Sequence, residues 1–405
     1  MKNVFIIAPF WGIKSHVGSE RINKLVSWFR ELNCNVTVVT SGNQRKNIEI
    51  TLLCIKNPFT NFKKYNNAFI TVNSEKNSIS WKMKEQVKNI LIPDPTIVWS
   101  LKASMKLIFK IKNTENEIII SSSPPESVHI VGLLVGFVHR KIKTICDFRD
   151  GWIDEPLKGY LLNNSIKSKI EKLIVNRIEK RANIIILNTD NLLLAALLRN
   201  PKMAHKTFVI TNGYPIEFER NSVQISKYEN KGIINVNYCG RLSKSIPNRN
   251  EYDIKKIITT FRQIIDCKII FNFAGDYTIR EIENIKKENF GNIEINIYEP
   301  LYELDYINFL GRADGFILLS PSINSIPIKT FDYLFTGKPI LALTNANSEI
   351  SKLKNYYNGI VYYDFTTSSV FSFLEKCDNK NINPKPNQFT NAYLQNKLLT
   401  IMERI

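Results

Sequence analysis

The clearest indication of the fold comes from residues 315–343, which read GFILLSPSINSIPIKTFDYLFTGKPILAL. Gly315–Ser320 is a continuous apolar run, typical of a strand buried on both faces of a parallel sheet. A small-polar loop follows, and a helix is predicted from about residue 326 to 336, where Gly337 ends it. The chain then enters another strand at Pro339–Leu343. Strand, helix and strand in this order form the repeating unit of a doubly wound α/β sheet.

The loop between this strand and this helix predicts an anion site. Ser325 is a good N-cap residue, and Pro327 falls in the first helical turn, where its missing N–H costs nothing. The free N–H groups of that turn attract anions, and the Lys329 ammonium would add positive charge. Asp332 follows on the same helix face, where its carboxylate would accept hydrogen bonds from ribose hydroxyls. A plain capped helix without a ligand is the alternative interpretation, and these residues alone leave it open.

The same alternation of strands and helices extends along the chain. In the first half the predicted strands are Val4–Ala8, Val36–Thr40, Ile48–Ile55, Glu117–Ser121, Lys143–Phe148, Asn183–Leu187 and Thr207–Thr211. In the second half they are Ile233–Tyr238, Lys268–Ala274, Asn292–Tyr298, Gly315–Ser320 and Pro339–Leu343. The predicted fold class is therefore α/β, with two Rossmann-like doubly wound parallel-sheet domains.

The domain boundaries follow from length and composition. A chain of 405 residues favours two domains over a single core. Residues 1–212 are expected to form the first domain and residues 232–385 the second, with the polar stretch 213–231 as a linker. A helical segment at 386–405 follows, and the sequence leaves open whether it packs back on the first domain.

The composition excludes several classes of protein. With 44% hydrophobic and 23% charged residues the chain is not of the disordered type. The six cysteines are far apart and none forms C-x-x-C, which favours free thiols in a reducing compartment over a disulfide framework. The first apolar run lacks a following cleavage site, and no later run reaches the ~20 residues of a membrane span. We therefore expect a cytoplasmic protein that does not cross a bilayer.

The net charge of +18 is concentrated in the first half. Residues 1–200 contain 30 lysines and arginines against 16 acidic residues, whereas the remainder contains 25 against 21. This surplus favours an anionic partner, which would be nucleic acid, phospholipid headgroups or a phosphorylated substrate; an ordinary solvated surface is the alternative. Residues 56–96 place aromatic side chains among lysines and would suit an anionic membrane on the inner face of the plasma membrane. These aromatics would otherwise fold back into the core.

Some kinds of site are not expected. A dinucleotide-binding fold has a G-x-G-x-x-G motif directly after its first strand. Neither predicted domain has this motif there, which argues against an NAD-dependent enzyme. The four histidines are scattered and no acidic pair follows a strand, so neither a metal site nor a cofactor is expected. His16 is interpreted as a loop residue and His129 as packed within a helix. No nucleic-acid-reading motif accompanies the basic charge, so nucleic acid is not the expected partner.

Residues 327–339 resemble the nucleotide-binding motif of glycosyltransferase family 4 and its relatives of the GT-B fold. In that motif Pro-x-Lys-x-Phe-(Glu/Asp)-Tyr-Leu is followed by Gly-Lys-Pro. Further stretches match the family in its order: SPP at 123–125, DFRDGW at 147–152, ITNGY at 210–214, YCGRL at 238–242 and FAGD at 273–276. The resemblance spans about residues 3 to 345 and implies two Rossmann-like domains that face a cleft.

The resemblance implies a donor site in the second domain. The family counterparts of Arg241 and Lys244 hold the donor diphosphate, and the counterpart of Asp332 contacts the ribose. Asn324 stands where the family has a glutamate that touches the transferred sugar, which leaves the identity of that sugar open. The other predicted members of the donor site are Ser325, Ile326, Pro327 and Lys329.

Two positions of the first domain complete the predicted site. Gly18 would let the backbone approach the donor phosphates, with a simple tight turn as the alternative. Asp150 is the candidate for gripping an acceptor or sugar hydroxyl, with Arg149 beside it. A structural ion pair between these two residues is the alternative. We assign catalysis to Asp150, Arg241 and Lys329.

The resemblance implies a metal-independent, hexosyltransferase-like glycosyltransferase that uses a nucleoside diphosphate sugar and retains the anomeric configuration. A polysaccharide or lipid-linked glycan of surface polysaccharide biosynthesis is the expected acceptor. Two alternatives stay open. A sugar-nucleotide epimerase would share the fold and donor site, and a non-enzymatic nucleic-acid-binding protein would explain the charge.

Overall fold

The computed structural model describes residues 1–12, 18–42, 50–58, 90–154, 161, 165–220, 232–242, 249–264, 267–379 and 384–404. The chain divides into two compact units. The first unit comprises Met1–Asn212 together with Asn391–Ile405, and the second comprises Gly213–Thr390.

The first unit is built on a parallel sheet. Its described strands are β1 (Asn3–Ile7), β2 (Asn35–Thr40), β3 (Thr51–Cys54), β4 (Glu117–Ser123), β5 (Lys143–Phe148), β6 (Ile184–Leu187) and β7 (Thr207–Val209). They pair in the order β3-β2-β1-β4-β5-β6-β7, and every pair is parallel. The central strands are buried along their length, which explains why they read as continuous apolar runs.

Helices cover both faces of this sheet. Those described before residue 213 are α1 (Gly18–Glu31), α2 (Ile97–Lys110), α3 (Val128–Val138), α4 (Ile166–Arg181) and α5 (Asp190–Arg199), with a 3-10 helix at Pro201–Lys206. Side chains alternate between faces along a strand, so β1 serves two cores. Val4 and Ile6 pack in one core with α1, whereas Phe5 and Ile7 pack in another with α2 and α3.

The second unit repeats this architecture. Its described strands are β8 (Ile233–Cys239), β9 (Lys268–Ala274), β10 (Ile293–Tyr298), β11 (Gly315–Ser320), β12 (Ile340–Thr344) and β13 (Ile360–Tyr362). They form a parallel sheet in the order β10-β9-β8-β11-β12-β13. Its helices are α6 (Ile216–Arg220), α7 (Arg249–Arg262), α8 (Ile279–Lys286), α9 (Glu303–Arg312), α10 (Lys329–Thr336), α11 (Glu349–Lys352) and α12 (Thr367–Asp378), with 3-10 helices at Leu353–Asn355 and Asn387–Phe389.

Both sheets have the strand order of a nucleotide-binding doubly wound fold. The order reverses between β1 and β4 in the first unit, and between β8 and β11 in the second. Folds of this class bind ligands outside the carboxyl ends of the strands at such switch points. The predicted fold class, two doubly wound parallel α/β domains, is confirmed.

The last helix of the chain, α13 (Asn391–Met402), belongs to the first unit. Leu394, Leu398, Ile401 and Met402 of this helix pack in the same core as α1 and strands β1 and β2. Residues 213–220, assigned from the sequence to a linker, lie in the second unit and include α6.

The structure differs from the sequence prediction in the last part of the second unit. Strand β13 and helices α11 and α12 were not predicted. A strand of three residues and a helix of four give no readable period. Helix α12 has twelve residues with buried apolar side chains at helical spacing, so its pattern was present in the sequence and was overlooked. Helix α10 begins at Lys329 rather than near residue 326, whereas Gly337 ends it in the left-handed region as predicted. Among the described residues, no helix is both long and apolar enough to cross a membrane.

Candidate functional site

Two glycine turns meet at the carboxyl edge of the second sheet. Gly240 directly follows β8 and has a φ of +130°, which favours glycine over any residue with a side chain. Its N–H donates to the carbonyl oxygen of Ala274 over 2.9 Å, next to Gly275 at the end of β9. A Cβ on Gly275 would lie 2.3 Å from the Gly240 carbonyl oxygen. The two turns are therefore in direct contact, and Gly275 has no room for a side chain.

Lys329 is the first residue of α10, the helix that follows β11, and its side chain reaches the Gly240 turn. Its Nζ donates to the carbonyl oxygen of Cys239 over 2.7 Å and lies 4.1 Å from the centre of the Tyr238 ring. A Cβ on Gly240 would be 3.1 Å from the same Nζ, so glycine at this position makes space for the ammonium. Burial lowers the pKa of Lys329 to about 8. The ammonium is therefore held, charged at neutral pH, at the switch point of the sheet.

The loop before α10 is organised by Ser322 rather than by Ser325. The Ser322 hydroxyl oxygen accepts the N–H groups of Asn324 and Ser325, over 3.1 and 2.9 Å, and the Ser325 hydroxyl over 2.8 Å. The helix follows Ile328, which makes no side-chain capping bond. The prediction of Ser325 as the N-cap is wrong, because its hydroxyl is used within this loop three residues before the cap.

The first turn of α10 offers fewer N–H groups to a ligand than the sequence suggested. The N–H groups of Thr330 and Phe331 donate to the carbonyl oxygens of Pro327 and Ile328, over 2.9 and 3.0 Å. These two donors are engaged inside the turn. The positive charge at this end of the helix therefore comes chiefly from the Lys329 side chain.

Asp332 lies one turn along α10 and is held by a tyrosine from α9. The Tyr306 hydroxyl donates to its Oδ2 over 2.6 Å. Burial and the nearby Asp332 charge raise the pKa of Tyr306 well above its ordinary value, so the phenol keeps its proton and remains a donor. Tyr333, the residue after Asp332, is anchored to the end of β8, because its hydroxyl accepts the N–H of Cys239 over 2.9 Å. Tyr306 was not predicted as a site residue, because nothing in its local sequence distinguishes it from other tyrosines.

Arg241 follows the glycine turn, and its side chain is exposed. Its carbonyl oxygen accepts the Tyr238 hydroxyl over 2.9 Å, which fixes the backbone at this position. Asn324, Ser325 and Pro327 are half-buried and Ile326 is buried in the loop before α10. Lys244 and His16 lie outside the described residues, and Gly18 is the first residue of α1.

A buried ion pair organises the corresponding edge of the first unit. The Arg21 guanidinium donates to both carboxylate oxygens of Asp147, over 2.8 and 3.1 Å, and to the carbonyl oxygens of Ile210 and Thr211. The Ser122 hydroxyl donates to the same carboxylate over 2.7 Å. Burial alone would raise the pKa of Asp147, but Arg21 outweighs it and keeps that pKa below its ordinary value.

Asp150 lies beyond this ion pair, two residues after the end of β5. The Arg149 guanidinium donates to the carbonyl oxygens of Ser123 and Pro124 over 2.8 and 2.9 Å, and within the described part of the chain it makes no ion pair with Asp150. The alternative of a structural Arg149–Asp150 ion pair is therefore not what organises this loop. Burial raises the pKa of Asp150, with Arg149 acting against it, so this carboxyl group takes up a proton more readily than an exposed one.

His129 is part of the core, as predicted. It is the second residue of α3, and its Nδ1 lies 2.7 Å from the Ser121 hydroxyl. The ring packs against Phe148 at 4.2 Å between centroids, and burial lowers the pKa of His129 to about 3. The imidazole is therefore neutral at physiological pH.

The residues that the structure describes contain no group of three or more histidine, cysteine or acidic side chains able to hold a metal ion.

No protein-family model and no curated protein matches the sequence. Solved structures are similar over the whole chain. HepE from Anabaena in complex with UDP is 13% identical, with a TM-score of 0.60 and coverage of 100% of both chains. A TarM mutant from S. aureus, in complex with fondaparinux, alpha-GlcNAc-glycerol and UDP, is 12% identical, with a TM-score of 0.61 and coverage of 99% of each chain.

The apo form of WaaB, a lipopolysaccharide outer core galactosyltransferase, is 10% identical over 100% of this chain and 99% of its own, with a TM-score of 0.57. These structures are GT-B glycosyltransferases with two Rossmann-like domains. At such low identity the likeness establishes the fold of this chain, which is GT-B.

Proposed function

We propose that this protein is a metal-independent glycosyltransferase that binds a nucleoside diphosphate sugar in its second unit. The observation that carries the proposal is the position of Lys329, whose ammonium lies beneath the Gly240 turn at the switch point of the second sheet. A cation beside a side-chain-free turn at the carboxyl ends of β8 and β11 suits a diphosphate. The similar structures that contain UDP support this assignment.

In this proposal, three groups of residues bind the three parts of the donor, which are the diphosphate, the ribose and the sugar. Lys329, Arg241 and Lys244 bind the diphosphate, and Asp332 accepts hydrogen bonds from the ribose. The half-buried loop that precedes α10 contacts the sugar through Asn324, Ser325, Ile326 and Pro327. Asp332 suits a ribose because a carboxylate accepts hydrogen bonds from hydroxyl groups, as its Oδ2 does from the Tyr306 hydroxyl.

The chemical step requires a stable leaving group. The bond between the anomeric carbon and the diphosphate oxygen breaks, and its electron pair leaves with the nucleoside diphosphate. A hydroxyl oxygen of the acceptor forms the new bond to the same carbon, and its proton passes to the departing diphosphate. Lys329 and Arg241 stabilise the negative charge that develops on the diphosphate, which is the role that a divalent metal would otherwise fill. Transfer with retention of the anomeric configuration is part of the proposal.

The first unit is proposed to bind the acceptor, a polysaccharide or lipid-linked glycan of surface polysaccharide biosynthesis. Asp150 is its candidate contact, because a half-buried carboxyl group with a raised pKa can exchange a hydrogen bond or a proton with a hydroxyl. We place the enzyme in the cytoplasm, on the inner face of the plasma membrane. The surplus of positive charge in residues 1–200 supports an anionic membrane as its partner.

The experiment that tests this function is a thermal-unfolding screen of UDP-, GDP- and other sugar nucleotides, followed by product analysis. A donor present at 100 times its dissociation constant adds about 2.7 kcal/mol to the free energy of unfolding. Lys329→Ala should lose this stabilisation, whereas Lys286→Ala, which changes an exposed lysine of α8 in the same unit, should keep it. Absence of stabilisation by any sugar nucleotide contradicts the proposal.

The same donor then separates transfer from epimerisation. A transferase releases nucleoside diphosphate and adds the sugar to a glycan acceptor. An epimerase instead produces an altered free sugar nucleotide or sugar without any acceptor. Products of the second kind, formed from the purified protein and donor alone, would replace the transferase with the epimerase.

A further inference from the structure

Helices α2, α3 and α4 lie side by side on one face of the first sheet. The end of α3 is joined to α2 by His139, whose Nε2 donates to the Ile108 carbonyl oxygen over 2.8 Å. It is joined to α4 by Arg181, whose Nε donates to the Gly136 carbonyl oxygen over 3.0 Å. The outward sides of these three helices form one surface, which we call the α2–α4 surface.

The α2–α4 surface exposes large apolar side chains in regular rows. On α2, Leu101, Met105 and Phe109 follow each other at four-residue spacing and are 45%, 63% and 88% exposed. They lie opposite the buried face of the same helix, to which Trp99, Ala103 and Leu107 belong. The adjoining members of the surface are Phe137 and Val138 of α3 and Ile166, Ile170 and Leu173 of α4. An apolar face of this kind requires a cover in the working protein.

The charges exposed on the α2–α4 surface are all positive. They are Lys102, Lys106 and Lys110 on α2, and Lys169, Lys172, Arg177 and Lys180 on α4. The three helices, all of whose residues the structure describes, contain two acidic residues, Glu171 and Glu179, and both are buried. Glu171 accepts the indole N–H of Trp152, and Glu179 accepts two bonds from Arg199. Within these three helices, no exposed carboxylate therefore offsets the cations.

We propose that the α2–α4 surface docks on an anionic phospholipid bilayer. An anionic bilayer binds apolar side chains that are flanked by lysines. The apolar side chains enter the boundary between headgroups and acyl chains, while the lysine ammonium groups stay among the lipid phosphates. A second copy of this chain would bring like charges together. A nucleic acid would satisfy the cations but would leave the apolar row uncovered.

This assignment deepens the proposed function, on which it rests for the nature of the partner. It places lipid binding on α2–α4 rather than on residues 56–96, of which 59–89 lie outside the described residues. Lipid binding is measured without donor or acceptor. A protein that transfers sugar but ignores vesicles, or binds vesicles without transferring sugar, therefore shows which of the two assignments has failed.

The test is co-sedimentation with vesicles rich in phosphatidylglycerol, compared with phosphatidylcholine vesicles. Met105→Ser combined with Phe109→Ser should weaken partitioning about tenfold or more, because two large apolar side chains no longer leave water. Lys106→Glu combined with Lys110→Glu should weaken it by about fivefold or more for each lysine, and added salt should release the wild-type protein. The matched controls, Ile279→Ser with Leu304→Ser and Lys286→Glu with Lys287→Glu, change equally exposed residues of the second unit and should bind as wild type.

All substituted positions are exposed, so thermal unfolding should match the wild type and exclude loss of fold as the cause. The proposal is overturned if the wild-type protein ignores phosphatidylglycerol vesicles, or if the α2 variants and the controls bind them equally well. Binding of single-stranded RNA that the lysine variant loses, with no vesicle binding, would assign the surface to nucleic acid instead. Equal binding to phosphatidylglycerol and phosphatidylcholine vesicles would show that the lysines do not contribute to lipid binding, and it would also overturn the proposal.

Discussion

Lys329 keeps its positive charge in a place where burial opposes it. Burial lowers the pKa of its ammonium to about 8, so the free protein begins to lose this charge just above neutral pH. A bound diphosphate stabilises the charged form and raises the same pKa, which couples donor binding to protonation of Lys329. Because the unfolded chain holds this proton more tightly, the lysine also adds to the free energy of unfolding as pH rises from about 8 to the ordinary lysine pKa.

The first prediction is a pH dependence of donor binding. Above pH about 8 the dissociation constant of the donor should rise, approaching tenfold per pH unit, because a proton must be taken up on binding. Isothermal titration calorimetry across this range measures it. Lys329→Ala should bind more weakly but lack this dependence, so the same pH profile in both proteins would show that another group is responsible.

The second prediction concerns Tyr306, which acts on the donor through Asp332. Tyr306→Phe removes the 2.6 Å hydrogen bond to the Asp332 carboxylate and so weakens the orientation of this carboxylate toward the ribose. Donor KM should rise several-fold while kcat stays close to wild type, because bonds to ribose are alike in the ground and transition states. Asp332→Ala should have a larger effect in the same direction.

Steady-state kinetics with a double-mutant cycle separates this role from general destabilisation. If Tyr306 works by holding Asp332, the effect of Tyr306→Phe should largely disappear in an Asp332→Ala background. Tyr302→Phe, which changes an exposed tyrosine at the start of the same helix, is the control and should leave KM unchanged. An unaltered KM in Tyr306→Phe would remove this residue from the donor site.

Residues that act within one local motif were accessible from the sequence, and residues that act over long separations were not. Lys329 and Asp332 stand three positions apart on one helix, so their spacing already placed them on one face. Tyr306 is 26 positions from Asp332, and Arg21 is 126 positions from Asp147. Only the fold brings such partners together. The only sequence feature that could have indicated the role of Arg21 is a cation on the helix that follows the first strand. Arginines are common on the surface of such helices, so this feature does not identify a buried ion pair.

At the scale of elements, the ends of β8 and β9 lie so close together that Gly275 cannot carry a side chain without a shift of the backbone. The third prediction is that Gly275→Ala lowers the free energy of unfolding by about 2 kcal/mol or more, because its Cβ would meet the Gly240 carbonyl oxygen at 2.3 Å. Urea denaturation measures the change, and donor binding should weaken as the Gly240 turn moves.

Gly132→Ala is the matched control. This glycine lies inside α3, and a Cβ there would make only ordinary contacts, the nearest at 3.8 Å to Thr144. Alanine favours a helix interior over glycine by about 1 kcal/mol, so this variant should be slightly more stable than wild type. Equal stability of the two variants would show that the contact between Gly275 and the Gly240 carbonyl oxygen does not exclude a Cβ.

Most elements with a clear period were predictable, but only some of their ends were. The buried strands could be identified from continuous apolar runs, and Gly337 marked the end of α10. The beginning of α10 was misplaced because Ser325 has the side chain of an N-cap but uses it on Ser322. A hydroxyl that bonds within its own loop has the same sequence appearance as one that caps a helix.

At the scale of the whole molecule, the repeated alternation of strand and helix was sufficient to predict two doubly wound domains. The sequence did not show that the last helix, α13, joins the core of the first unit, because 391–402 are separated from β1 by almost the entire chain. Long-range pairing of this kind leaves no local pattern. The charge surplus of residues 1–200 was visible as a number, but only the fold shows that seven of these cations lie on the α2–α4 surface.

Turnover of Lys329→Ala at saturating donor, with EDTA present throughout, tests the proposed transfer most directly. The rate of nucleoside diphosphate release in the presence of glycan acceptor is measured for wild type, Lys329→Ala, Arg241→Ala and the control Lys286→Ala. We predict that wild type and control keep full activity in EDTA, and that loss of either site cation slows turnover by about two to three orders of magnitude. Near-normal turnover in both site variants, or loss of wild-type activity in EDTA that Mg²⁺ or Mn²⁺ restores, would contradict a metal-independent diphosphate site at Lys329.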